Sequence, residues 1–152
     1  MKKYILLLIA FIAFTYQVFS QTDCLSPKFE DKCSGVITSI IDDYVYLKSR
    51  AFSSQVSTDV LFSVSLKRNI KYVFSVCELF GNNNMVINLY DENDKIVASN
   101  IDPKTKKIIT AMTFKPTAAG KYYVLATFEK KESNCCLILF GLMKDSLKDA
   151  VK

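Results

Sequence analysis

Asp91-Glu92-Asn93-Asp94 interrupts an otherwise apolar stretch and is the densest set of ligand-type side chains in the chain. Asp91, Asn93 and Asp94 could offer oxygen ligands to Ca²⁺, which takes six to eight of them. The run is short, lacks glycine and departs from the Asp-x-Asp-x-Asp-Gly order of a calcium loop, so a hairpin turn is the preferred reading. Other acids come in pairs: Asp42 with Asp43, and Glu129 with Glu132. A glycosidase needs two carboxylates facing across a cleft. Here the acids collect in turns, where solvation is their ordinary role. The chain has no histidine, so neither a Ser-His-Asp nor a Cys-His arrangement can be assembled. A histidine general base or metal ligand is excluded with it. No catalytic residue, metal or cofactor is assigned.

The remaining chemistry is in the cysteines and tyrosines. All five cysteines, Cys24, Cys33, Cys77, Cys135 and Cys136, follow the first twenty residues, and none forms a C-x-x-C pair. Zinc and redox motifs are therefore poorly supported, and disulfides are the expected use in an oxidising compartment. An odd count leaves one thiol over. Cys77 closes one predicted strand and Cys136 opens another, which suggests a Cys77–Cys136 bond, with Cys135 as the rival partner. Cys24 would then pair with Cys33. A competing scheme ties the arm to the sandwich, for instance Cys33 to Cys135, and leaves Cys24 over. Adjacent residues on a strand point to opposite faces, so Cys135 and Cys136 should not share an environment. Tyr44, Tyr46, Tyr72, Tyr90, Tyr122 and Tyr123 could line a glycan or peptide site, although half should point into a core. Tyr90 and Tyr123 lie opposite the more aliphatic face of their strands and are the candidates for facing a ligand.

The elements that carry these residues are short and extended. Met85, Ile87 and Leu89 alternate with Val86, Asn88 and Tyr90, the polar run turns the chain, and Ile96-Val97-Ala98 resumes the pattern: a β-hairpin. Val60, Phe62, Val64 and Leu66 alternate with Leu61, Ser63 and Ser65. After a turn at Lys67-Arg68-Asn69, Ile70, Tyr72, Phe74 and Val76 do the same. Asp102-Pro103-Lys104-Thr105 is a turn. Ile108 to Phe114, Lys121 to Phe128 and Cys135 to Leu142 complete the strands. Residues 21–35 read as an irregular arm. The next segment is ambiguous: Val36, Ile37, Ile40, Ile41, Tyr44 and Leu47 recur at helical spacing, yet Tyr44-Val45-Tyr46-Leu47 suits a strand, and extended structure is favoured from about Asp43 to Phe52. Ile70, Tyr72, Phe74, Ile87, Leu89, Tyr122 and Val124 are the expected core. A short amphipathic helix through Leu147 and Val151 could close the chain.

With 152 residues there is room for one domain. Seven or eight short strands without interleaved helices predict an all-β fold, an antiparallel, jelly-roll-like β-sandwich. Residues 1–20 have the layout of a secretory signal peptide: Lys2 and Lys3, an apolar run from Tyr4 to Phe14, and a cut before Gln21. Residues 21–52 are then the arm and first strand, 53–142 the sandwich, and 143–152 a tail. The apolar run is too short to span a bilayer, so no stable membrane anchor is expected after cleavage. Without Lys2 and Lys3, eighteen basic residues face fifteen acidic ones, a formal charge of +3. That mild excess, with its lysines in turns, does not argue for nucleic acid.

Several stretches, in order, resemble the bacterial pre-peptidase C-terminal domain, a small secreted β-sandwich. They are Val60 to Leu66 leading into Tyr72 to Val76, Val86 to Asp91 followed by Lys95 to Asn100, and Ala119-Gly120-Lys121-Tyr122-Tyr123-Val124. The likeness covers about residues 58 to 141. The cysteines and the N-terminal portion depart from it, and the leader looks like those of secreted Bacteroidetes proteins. The family has no catalytic residue to carry over. The expectation is a secreted or periplasmic, non-catalytic module with a binding, accessory or structural role and an extracellular protein or glycan as partner. A carbohydrate-binding module, a carboxylate-dependent hydrolase and a protease inhibitor are the alternatives.

Overall fold

A computed structural model describes residues 24, 26–53, 57–79, 85–129 and 135–146. The leader, Glu132 and the tail positions Leu147 and Val151 lie outside these residues. Among the described residues, eight strands follow one α-helix: α1 (Pro27–Ile40), β1 (Tyr44–Ser53), β2 (Asp59–Leu66), β3 (Tyr72–Glu78), β4 (Met85–Tyr90), β5 (Ile96–Ser99), β6 (Ala111–Phe114), β7 (Gly120–Phe128) and β8 (Cys135–Met143). They form two four-stranded sheets, β1-β8-β3-β6 and β2-β7-β4-β5, with every pairing antiparallel. The fold is the expected β-sandwich.

The period of two fills its core. Ile70, Tyr72, Phe74, Ile87, Leu89, Tyr122 and Val124 are all buried, and they pack with the inward side chains of both sheets. Turn chemistry sets the strand ends. Asn69 takes a left-handed φ of 64° after β2. In the β4–β5 hairpin Asp94 does the same at 59°, as a short polar side chain can. Asp102 Oδ1 accepts from the N–H groups of Lys104 and Thr105, both at 2.8 Å, and these bonds hold its carboxyl below its usual pKa. Asn100, fully buried just after β5, ties the chain there to β4 and to Ile109. Its Oδ1 accepts from the Ile87 N–H at 2.7 Å, and its Nδ2 donates to Met85 O and Ile109 O, each at 3.1 Å. The strand expected from Ile108 is shorter, with Ile108 in an isolated bridge to Ile101.

Two expectations need correction. Residues 21–35 are not simply an irregular arm, because α1 begins at Pro27. The Ser26 side chain caps the Phe29 N–H at 3.2 Å, and proline stands in the first turn, where its missing N–H costs nothing. Phe29, Cys33 and Ile37 recur every four residues and form its buried stripe. The ambiguous segment therefore contains both signals in succession: helix to Ile40, then strand from Tyr44. Asp43, at φ 60°, makes the turn between them.

The disulfides are the second correction. Cys77 does not bond Cys136, nor Cys24 Cys33; the bonds are Cys24–Cys135 and Cys33–Cys77, and Cys136 is the free thiol. The register explains this. β3 and β8 are neighbours, with Cys77 opposite Leu137 and Glu78 opposite Cys136. Cys77 therefore shares a face with Leu137, while Cys136 points through the other side into the core, its Sγ 3.1 Å from Met85 Sδ. Two cysteines on opposite sides of one sheet cannot meet. Cys135 and Cys77 share the outer side, where α1 lies. The expected split of Cys135 and Cys136 between two environments is observed. Burial, with Glu78 nearby, pushes the Cys136 thiol well above its ordinary pKa, which makes it a poor nucleophile.

Candidate functional site

Each sheet has an inner face in the core and an outer face turned away from it. On the first sheet the outer face is roofed by α1. Phe29, Cys33 and Ile37 pack on Leu137 and Leu139, with Ala51, Cys77 and Tyr44 around them. Tyr46 and Ser49 of β1 each donate a 2.5 Å hydrogen bond to Glu30 Oε1 of the helix, and these bonds hold the Glu30 carboxyl below its usual pKa. Gly141 is required here, since a Cβ would run into the Tyr44 ring and the Val45 carbonyl of the neighbouring strand. Tyr44 packs with its hydroxyl buried and without a partner among the described residues. Burial, then the proximity of Tyr46, pushes its pKa up to about 12.

No such roof covers the outer face of the second sheet among the described residues. Its side chains follow from the strand register. Ser63 of β2 faces Tyr123 of β7, Tyr123 faces Tyr90 of β4, and Tyr90 faces Ile96 of β5. One row therefore crosses all four strands with two tyrosines at its centre. The adjacent row is Leu61, Leu125, Asn88 and Ser99. Leu61 is 65 % exposed and Ile96 50 %; Tyr90, Tyr123 and Leu125 are half-buried. Lys121 Nζ stands 5.3 Å from the centre of the Tyr123 ring, within cation–π range. The tyrosines singled out from the sequence are thus side by side. The aliphatic residues around them were missed, although Leu61 carried a signal: it is the leucine on the serine face of its strand.

The Asp91 group sits elsewhere. Asp91 Oδ1 accepts from the N–H groups of Asn93 at 2.9 Å and Lys95 at 3.0 Å, so one carboxylate oxygen is committed to the turn. Asn93 and Asp94 are exposed on the same turn. Among the described residues, no cluster of three or more His, Cys, Asp or Glu side chains is arranged to hold a metal ion. The hairpin forms one wall of an end cleft of about 500 Å³. Asp91 and Glu92 line that wall, while the facing wall is Lys115, Thr117, Ala118, Ala119, Gly120 and Lys121. Both acids therefore stand on one side, and the opposed pair a glycosidase uses is not formed there. Among the described residues, no helix is long and apolar enough to cross a membrane.

No protein-family profile matches the chain, and no curated protein is significantly similar to it. Solved structures give low-identity likenesses. One is the pre-peptidase C-terminal domain of a collagenase from Bacillus anthracis: TM-score 0.47, 17% identity, covering 61% of this chain and 87% of that one. Another is PliG from Aeromonas hydrophila, a periplasmic inhibitor of g-type lysozyme: TM-score 0.46, 12% identity, covering 66% of this chain and 87% of that one.

Proposed function

We propose that the chain is an exported, non-catalytic binding module that engages an extracellular protein through the outer face of its second sheet. The observation that carries this reading is the row Ser63, Tyr123, Tyr90, Ile96 with Leu61 and Leu125 beside it. One face of an antiparallel sheet can stay solvated, but its side chains are then ordinarily polar. A contiguous apolar patch on such a face marks an interaction surface, and tyrosines at its centre supply large contact area with few rotamers to freeze. The flanking Leu61, Leu125 and Ile96 favour a protein over a glycan, because sugar recognition relies on aromatic platforms and gains little from exposed leucines. Export is supported by the basic and apolar leader and by the use of four cysteines in disulfides.

Photo-crosslinking in the exporting cell tests the partner surface. A photoreactive side chain at Tyr123 should yield an adduct of discrete protein mass, and one at Lys32 on α1 should not. Equal adducts from both positions, or from neither, would sink the proposal. Binding on a glycan array that Tyr123→Ala abolishes would transfer the face to a carbohydrate ligand. The mature N-terminus should be at or near Gln21 by mass spectrometry; an intact Met1 in a membrane fraction would overturn export of a processed chain.

A further inference from the structure

The two sheets have four edge strands, and three of them carry features that discourage another strand from pairing. β5 and β6 are four residues each. β1 is ten residues long, but its register is interrupted between Tyr46 and Lys48. Its Lys48 and Arg50 stand opposite Phe140 and Ile138, which puts both cations on the inner side of the sheet. Lys48 Nζ lies 5.6 Å from the centre of the Phe140 ring, and Arg50 Cζ lies 5.0 Å from that of Phe62. Short strands, bulges and inward-pointing charges are the devices that keep edges from associating.

β2 has none of them. Its eight residues pair with β7 without a register shift, contain no proline, and include one charge, Asp59, at the first position. Among the described residues, nothing pairs with its other side. We infer that this edge is a self-association surface, and that two copies of the chain join β2 to β2 in antiparallel register about a two-fold axis at Ser63.

The sequence around the edge selects that register. Residues facing each other across an antiparallel pair must point to the same side, so pairing must keep Val60, Phe62, Val64 and Leu66 on the inner faces. An axis at Ser63 sets Phe62 against Val64 and Val60 against Leu66. It also sets Asp59 against Lys67, twice, because a two-fold interface repeats each contact. Asp59 and Lys67 are both exposed. Moving the axis to Phe62 or Val64 keeps the inner faces matched but loses both ion pairs. A second feature favours closure here. The side of the sandwich between β1 and β2 opens into a small cavity of about 80 Å³ reaching Phe62, Phe74 and Phe140. The Val64 of a second copy would stand over its Phe62 wall. The dimer would run the two second sheets into one of eight strands and set the two tyrosine faces side by side. It does not depend on what those faces bind.

Sedimentation of the full chain, processed as the cell leaves it and with its disulfides intact, should give twice the monomer mass at micromolar concentration. Asp59→Lys alone and Lys67→Asp alone should each yield monomers, and the double exchange should restore the dimer, since the pairs reverse without changing the register. Oxidation of Ser63→Cys should cross-link two chains, because residues directly opposite have Cβ atoms about 4.5–5.5 Å apart. Ser65→Cys, opposite Leu61 in this register, should not. A monomeric wild type overturns the inference, including one that takes up an extended peptide on β2. So does a dimer that survives both single exchanges.

Discussion

The outer faces of the two sheets began as similar problems and have different solutions. Both present leucines at mid-strand: Leu137 and Leu139 on the first sheet, Leu61 and Leu125 on the second. The first pair is buried under α1, with Leu139 fully inaccessible, whereas Leu61 remains 65 % exposed. The helix is fastened at two points, Cys24–Cys135 and Cys33–Cys77, and Glu30 adds the hydrogen bonds from Tyr46 and Ser49. A fourteen-residue helix is marginal alone; its apolar stripe and the two bonds make it part of the sandwich. The covered face is thus committed to stability. The outer face of the second sheet, with its paired tyrosines, has no such cover among the described residues, and the proposed binding role falls to it.

Equal changes on the two faces should therefore have unequal effects. The largest should follow replacement of Cys33 and Cys77 by serine. That bond links positions 44 residues apart, and opening it should destabilise the fold by roughly 4 kcal/mol on the chain-entropy model. Denaturant unfolding measures it, and a loss near zero would mean that α1 does not need its fastening. Leu139→Ala should cost about 3 kcal/mol, as removal of a buried leucine side chain does. Gly141→Ala, which pushes Tyr44 or β1 aside, should cost about 1–3 kcal/mol by overpacking.

Alkaline titration sharpens the same contrast. The Tyr44 pKa is raised from 10.0 to about 12 in the folded chain, so the unfolded chain loses its proton first. Stability should hold below about pH 10 and decline as pH rises from 10 toward 12. Tyr44→Phe should flatten that decline in pH-dependent unfolding, and near neutral pH it should cost little, because among the described residues the buried hydroxyl has no partner to lose. The smallest effect belongs to the bare face. Leu61→Ala should change stability by less than about 0.5 kcal/mol, as exposed substitutions do. A cost comparable to that of Leu139→Ala would show that the second face is covered after all.

Much of this was legible residue by residue. The β4–β5 hairpin, the seven expected core residues and the pairing of acids with turns all follow from local patterns. The position of Tyr90 and Tyr123 on an outer face was legible too, because a side chain opposite an apolar stripe must point away from it. The helix was obscured by its neighbour: Val36 to Ile41 has helical spacing and Tyr44 to Leu47 strand composition, and a boundary between two true signals looks like one ambiguous signal. The aliphatic surround of the tyrosines was harder to see. It is assembled from β2, β7 and β5, and no single strand shows it.

By itself, then, the sequence determined which side of each strand is apolar, since a period of two is set by neighbours in the chain and survives any arrangement of the sheets. It also determined that Cys135 and Cys136 face different environments. Which cysteines bond was decided only by tertiary structure. β8 lies between β1 and β3, so its odd-numbered side chains meet α1 and its even-numbered ones meet the core. That places Cys77 and Cys136 on opposite sides of one sheet and brings Cys33 down onto Cys77. Strand order is a long-range property, formed when distant segments close on one another, and the local alternation of apolar and polar residues is compatible with several such orders.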